Sequence, residues 1–211
     1  MSTEKQLSYQ ITNTYSVLNE FTPKTKTIWV VCHGIGYLSR YFLRYFTELN
    51  PEENYIIAPQ AQSKYYLNNE YKHVGASWLT RENTEAEIEN VLNYLDEVYK
   101  TENLGEAPNL SIFGYSQGVS VAARWVARRK IKCDRLIMHS GKVPSELKPE
   151  DFDFLNNSQF SFIYGTEDEY LKKAIIDIEE EHLRNLFPKN LEILTFDGGH
   201  EVNRTIISKF A

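Results

Sequence analysis

The chain has 211 residues, 42% of them hydrophobic and 25% charged, with a formal net charge of −6. Such a length and balance suit one globular domain spanning residues 1–211, large enough to bury about 70% of the surface its unfolded form exposes. Basic residues are scattered rather than clustered, which argues against a nucleic-acid partner, and no apolar stretch approaches the about 20 residues of a membrane span.

The opening MSTEKQLSYQ lacks the apolar core of a secretory leader, and this points to a cytoplasmic protein. Gln6 to Phe21 reads as one or two edge strands, possibly antiparallel. Thr27 to Cys32 (TIWVVC) reads as a strand, followed by a helix through Phe42, Phe46 and Leu49 that stops at Pro51. Tyr55 to Ala58 is the next strand, and the polar, tyrosine-rich Ala61–Lys72 that follows has no clear pattern. From 84 to 99 the spacing predicts a helix with Ile88, Val91, Leu92, Leu95, Val98 and Tyr99 on one face. Thr84 and Glu87 stand as a capping box at its start.

Strands are expected at Leu110 to Phe113, Arg135 to His139, Phe160 to Tyr164 and Glu192 to Phe196. Helices should occupy Val119 to Val126, about 169–187 with Leu171, Ile175, Ile178 and Leu186 inward, and the stretch after Asn203 with Ile206, Ile207 and Phe210 inward. Alternating apolar strands and helices imply an α/β fold, a mostly parallel sheet covered on both faces. No insertion is large enough for a separate lid domain. Ligands of such sheets bind beyond the carboxyl ends of the strands, so the chemistry should lie just after the strands named.

One strand-to-helix junction carries Gly114-Tyr115-Ser116-Gln117-Gly118. A sharp turn there would strain Ser116 and bring the flanking glycines too close for any side chain. An ordinary glycine-rich turn would read the same way, so the junction needs partners. A serine hydroxyl needs a base, and the base must itself be oriented. Of five histidines, His200 follows a strand in FDGGH, where two glycines let the loop bend over the sheet edge. His139 ends a strand and competes on position, although the short connection favours a packed structural role. His182 reads as part of a solvated helix face, and His73 sits in a polar loop. The acid should also follow a strand: Asp168 in GTED does so, with Glu167 and Asp197 as alternatives and a helix N-cap as its plain role.

Ser116, Asp168 and His200 fall in the chain order Ser…Asp…His of α/β-hydrolases. An oxyanion hole needs two main-chain amides, assigned to Gln117 in the turn and Ile35 in His33-Gly34-Ile35-Gly36, with His33 a polar anchor of that loop. That glycine loop lacks the Lys-Ser/Thr of a phosphate-binding loop. Cys32 and Cys133 lie in or beside apolar runs and read as buried thiols, and no Cys/His spacing suggests a metal. No cofactor is required.

In order, VVCHGIG, IFGYSQGVSVAAR, HSG, YGTEDEYL and DGGH resemble the small lidless serine esterases of the phospholipase/carboxylesterase family, over roughly residues 27–210. That family lies within the α/β-hydrolases and includes acyl-protein thioesterases. The resemblance implies a triad of Ser116, Asp168 and His200 and oxyanion amides at Ile35 and Gln117. It also places Trp78, in GASWL, near the substrate cleft, unless it is a core tryptophan, and Tyr115 joins it as a substrate contact. Two stretches depart from the family's pattern: Ala61–Lys72, and the Glu-Tyr-Leu after Asp168. The expected activity is hydrolysis of a carboxylic ester or thioester through an acyl-enzyme, on a small-molecule or lipid-like substrate. Long-chain thioesterase or lysophospholipase action is one alternative. A non-catalytic ligand-binding protein on the same fold is another. Oligomeric state has no signature in the sequence.

Overall fold

In the computed structural model, residues 2–68 and 70–211 are described. Seven strands form one sheet in the order β1-β3-β2-β6-β7-β8-β9. They are β1 (Tyr15–Leu18), β2 (Thr27–Cys32), β3 (Asn54–Pro59), β6 (Leu110–Tyr115), β7 (Arg135–His139), β8 (Gln159–Gly165) and β9 (Leu191–Phe196). Only β1 runs antiparallel, pairing with β3 at one edge; every other pairing is parallel. The expected α/β-hydrolase architecture is the one observed. No helix among the described residues is long and apolar enough to cross a membrane.

β2 explains why the sheet is covered on both faces. Its six residues are all buried, and successive side chains of a strand point to opposite faces. Ile28, Val30 and Cys32 enter one core, where α2 (Thr84–Thr101), α3 (Gln117–Arg129) and α4 (Lys173–Leu186) contribute Leu95, Trp125 and Leu183. Trp29 and Val31 enter the other, filled by Phe42 of α1 (Ser39–Phe42), Phe46 beyond it, and Ile206 of α5 (Arg204–Ile207).

Several expectations shift in detail. The expected helix through Phe42, Phe46 and Leu49 is one α-turn, α1, continued by a 3-10 turn over Leu43–Phe46. No strand forms before Tyr15 among the described residues. The capping box at Thr84 does not form. Asn83, in a left-handed conformation at φ 47, precedes the helix instead, and the Thr84 hydroxyl donates to the Thr80 carbonyl at 3.1 Å. The face of α4 is also rotated: Ile176, Glu179, Leu183 and Leu186 are buried, whereas Ile178 is 67% exposed. Leu171 is buried but lies before the helix, which begins only at Lys173. His182 is half-buried rather than solvated, and its Nε2 has no hydrogen-bond partner among the described residues. The helix expected after Asn203 is α5, and Asn203 caps it, its side chain accepting from the Ile206 amide at 2.9 Å. Within the tyrosine-rich segment, β4 (Ser63–Tyr66) pairs with β5 (Val74–Ser77) as a separate two-stranded hairpin.

Helix α3 packs so tightly onto β2 that a Cβ at Gly118 would overlap the Cys32 carbonyl. Gly118→Ala is therefore expected to lower stability by about 3 kcal/mol, because overpacking forces the backbone apart. Gly105→Ala, whose added Cβ would lie 3.4 Å from the Tyr99 hydroxyl, should stay within about 0.5 kcal/mol of the parent. Urea unfolding of the two variants checks the contrast.

Candidate active site

Strand β6 ends at Tyr115, and α3 starts at Gln117, so a single residue makes the reversal. Ser116 makes it at φ 51 and ψ −118, outside the regions that L-residues favour. Its N–H donates to the His139 carbonyl at 2.8 Å, and its carbonyl accepts from the Val119 amide at 3.0 Å. Glycine is required around it for lack of space. A Cβ at Gly114 would stand 2.6 Å from the Gly118 carbonyl oxygen, and one at Gly141 would overlap the Ser116 carbonyl.

Three loops after three different strands meet at this turn. His200, in the loop following β9, faces the Ser116 Oγ with its Nε2 at 2.9 Å and the Asp168 Oδ2 with its Nδ1 at 2.8 Å. A carboxylate can only accept, so Nδ1 carries the proton and Nε2 is left to accept from the hydroxyl. Asp168 follows β8, and its side chain is fully shielded from solvent. Its Oδ1 accepts from the amides of Tyr170 and Leu171, both at 2.9 Å; these belong to a turn and not to a helix start, because α4 begins only at Lys173, so the expected N-cap does not form. The other two acid candidates, Glu167 and Asp197, make no hydrogen bond to the imidazole among the described residues.

The loop after β2 lies against the same point: a Cβ on Gly34 would be 3.2 Å from the Ser116 Cβ. Among the described residues no acceptor takes up the amide of Ile35 or of Gln117, the two donors assigned to an oxyanion. The Gln117 amide also belongs to the first turn of α3, where the helix dipole favours negative charge. The Ile35 side chain is 54% exposed beside the site.

His33 and His139 lie close by but are both fully buried and differently employed. The His33 Nε2 accepts the Ala61 amide at 3.2 Å while Nδ1 donates to the Gly34 carbonyl at 2.8 Å. At His139, Nε2 accepts the Asn203 amide at 3.1 Å and Nδ1 donates to the Ser140 hydroxyl at 3.0 Å. Burial lowers the pKa of His33 to about 4, and burial with the nearby His200 lowers that of His139 to about 3.

The two assigned substrate contacts are corrected. Trp78 has no exposed surface; its indole N–H donates to the His33 carbonyl at 2.8 Å and its ring packs 5.0 Å from the His33 ring. Tyr115 is 3% exposed, with its hydroxyl turned to the His200 carbonyl at 2.8 Å. Both are buried and tie loops together. Three supports escaped the sequence reading. The Gln117 side chain accepts from the Trp78 amide at 2.8 Å and donates to the Leu79 carbonyl at 2.7 Å, tying the segment after β5 to the turn. The Glu169 carboxylate accepts from the His200 amide at 3.3 Å, and the Tyr170 ring stands edge-on to the imidazole at 4.8 Å. The Glu-Tyr-Leu departure after Asp168 was the only signal for that pair.

Fold and strand-end site together define an α/β-hydrolase. More narrowly, a model of the phospholipase/carboxylesterase family matches residues 13–210, and the chain belongs to that family. Its fold is similar to acyl-protein thioesterase 2 of Zea mays, at 16% identity and TM-score 0.70 over 94% of this chain and 97% of that one. The carboxylesterase of Bacillus cereus is similar at 18% identity and TM-score 0.69, over 94% and 91% of the two chains. A phospholipase/carboxylesterase from Dyadobacter fermentans is similar at 17% identity and TM-score 0.70, over 96% and 97%. No curated protein sequence matches the chain.

The buried histidines give stability a pH dependence of definite sign. His33 and His139 are held neutral in the folded state, with pKa values of about 4 and about 3 against 6.5 for the ordinary group. Between those limits the unfolded chain binds protons that the folded chain refuses. Their contribution is complete above pH 6.5 and is lost as pH falls toward 4. Each histidine should add up to about 1.4 kcal/mol per pH unit to the slope. Urea unfolding across this range checks it, and His33→Gln should make the slope shallower.

Proposed function

We propose that this chain hydrolyses carboxylic esters or thioesters through an acyl-enzyme on Ser116. The observation that carries the reading is the unbroken line of hydrogen bonds from the Ser116 hydroxyl through both nitrogens of His200 to the shielded Asp168 carboxylate. Ser116 Oγ attacks the carbonyl carbon while His200 Nε2 takes its proton. The carbonyl oxygen, now an anion, is received by the amides of Ile35 and Gln117, each contributing about 2.7–4 kcal/mol at the transition state. Collapse breaks the bond to the alcohol or thiol, which leaves with the proton from His200. Water then attacks the acyl-enzyme, giving its proton to His200, and the acid departs as Ser116 Oγ is protonated again. Asp168 holds the ring in the tautomer that presents Nε2 and stabilises the imidazolium formed in each half.

Every step uses side chains and amides of this chain, and the reading calls for no metal or organic cofactor. Family membership supports hydrolase chemistry, and the exposed Ile35 and Tyr170 beside the serine and the imidazole suit an apolar or lipid-like acyl or leaving group.

A fluorophosphonate probe is expected to label the wild type and to leave Ser116→Ala unlabelled; a folded, unlabelled wild type would favour a ligand-binding protein instead. Asp168→Asn should fold but lose about 10⁴-fold in kcat, the cost of presenting the wrong tautomer. A series of p-nitrophenyl esters and acyl thioesters of rising chain length, assayed for kcat/KM, separates short-chain esterase action from long-chain deacylation.

A further inference from the structure

Tyr115 has no part in the proton transfers above, yet it touches both the glycine loop after β2 and the loop that carries His200. It is the last residue of β6 and the immediate neighbour of Ser116. Its ring packs against the glycine loop so closely that a Cβ on Gly34 would sit 2.9 Å away. The same ring lies 5.4 Å from the His200 imidazole, 5.5 Å from His139 and 6.1 Å from Phe42, on which it stacks. Its hydroxyl reaches the carbonyl of His200 itself at 2.8 Å.

The loop that carries His200 has no regular secondary structure between Phe196 and Arg204. Its side chain must nevertheless meet two partners at once. Main-chain ties on His200 are two among the described residues: the exposed Glu169 carboxylate at 3.3 Å on its N–H, and Tyr115 on its carbonyl. Only the second comes from a buried group. Tyrosine is a stiff spacer with few torsions, and its main chain is continuous with Ser116. One residue thereby sets the separation between the hydroxyl at 116 and the ring at 200. Phenylalanine would fill the same space, so packing alone does not call for the hydroxyl. Burial raises the pKa of this phenol, with Tyr37, Tyr45, Asp168 and Glu169 adding to the effect, so it remains a donor throughout the working pH range.

We propose that Tyr115 is a positioning residue, its hydroxyl fixing the His200 loop in register with Ser116; this rests on the acyl-enzyme reading above.

The test is Tyr115→Phe, assayed on p-nitrophenyl acetate, with 4-aminophenylalanine at the same position as a second variant that keeps a donor. The Phe variant should fold with the wild-type circular dichroism spectrum and lose between about 10- and 100-fold in kcat, the scale of a small misplacement. Its KM should stay within about two-fold, since no ligand contact is removed. The low-field proton resonance of His200 Nδ1–H, sharp in the wild type, should broaden or vanish in the Phe variant. The amino variant should recover both kcat and the resonance. Wild-type kcat with an unchanged resonance in Tyr115→Phe overturns the proposal. So does a kcat loss that the amino variant fails to restore, or a Phe variant that cannot fold while the amino variant remains misaligned. Absence of fluorophosphonate labelling at Ser116 in the wild type defeats the hydrolase reading, whereas a labelled wild type with an unaffected Phe variant defeats the role of Tyr115 alone.

Discussion

Ser116 holds a backbone conformation, φ 51 and ψ −118, that an L-residue adopts only under constraint, at about 1–3 kcal/mol. The constraint is steric closeness on three sides. Gly114 faces Gly118 and Val119 across the turn, Gly118 lies on the end of β2, and Gly141 presses on the Ser116 carbonyl. The last two contacts join the turn to a neighbouring strand or its following loop, so the packing of α3 onto the sheet and the posture of the serine are one structural fact. The shape of the site is therefore inherited from the core.

The same packing separates three histidines that share one corner of the fold. All are held with the proton on Nδ1, and they differ in what each nitrogen meets. At His33 and His139 Nε2 meets a main-chain amide, which a protonated ring could not accept from. Burial reinforces the neutral form at both. At His200 it meets a hydroxyl that can give up its proton, and the opposite nitrogen meets a carboxylate rather than a neutral acceptor. Of the three, only His200 faces a hydroxyl and a carboxylate at once, the arrangement that the proposed base requires. Position at a strand end, which favoured His139 almost as much, could not have distinguished them; the identity of the donor opposite Nε2 does.

What was legible in the chain followed from periodicity and from residues whose geometry admits few substitutes. Fully buried parallel strands are continuous apolar runs, so TIWVVC and its counterparts stood out. G-x-S-x-G stood out because two glycines are needed for a single strained turn. Where a polar residue enters a buried face, the pattern failed. Glu179 sits in the buried stripe of α4, its carboxylate accepting from the Val143 amide at 2.7 Å, and its presence made the stripe look as though it ran through Ile178 instead. The hairpin of β4 and β5 was illegible because all four β4 residues are exposed, leaving no apolar alternation to read. Trp78 and Tyr115 were misassigned for a related reason. Adjacency to reacting groups is visible in sequence, but which side of a loop a side chain occupies depends on distant partners, here the carbonyls of His33 and His200.

The two oxygens of Asp168 are divided between a turn and a ring. A turn whose amides bind one carboxylate oxygen leaves the other with a fixed direction, and that direction points at the imidazole. The turn is thus part of the machinery that orients the ring. Asp168 and the ring of His200 are in this way fixed by main-chain contacts and withdrawn from most solvent contact. Ile35 and Tyr170, by contrast, keep large exposed surfaces, one beside the serine and the other beside the imidazole. The line from Ser116 to Asp168 thus rests on the core, whereas Ile35 and Tyr170 stand at its rim.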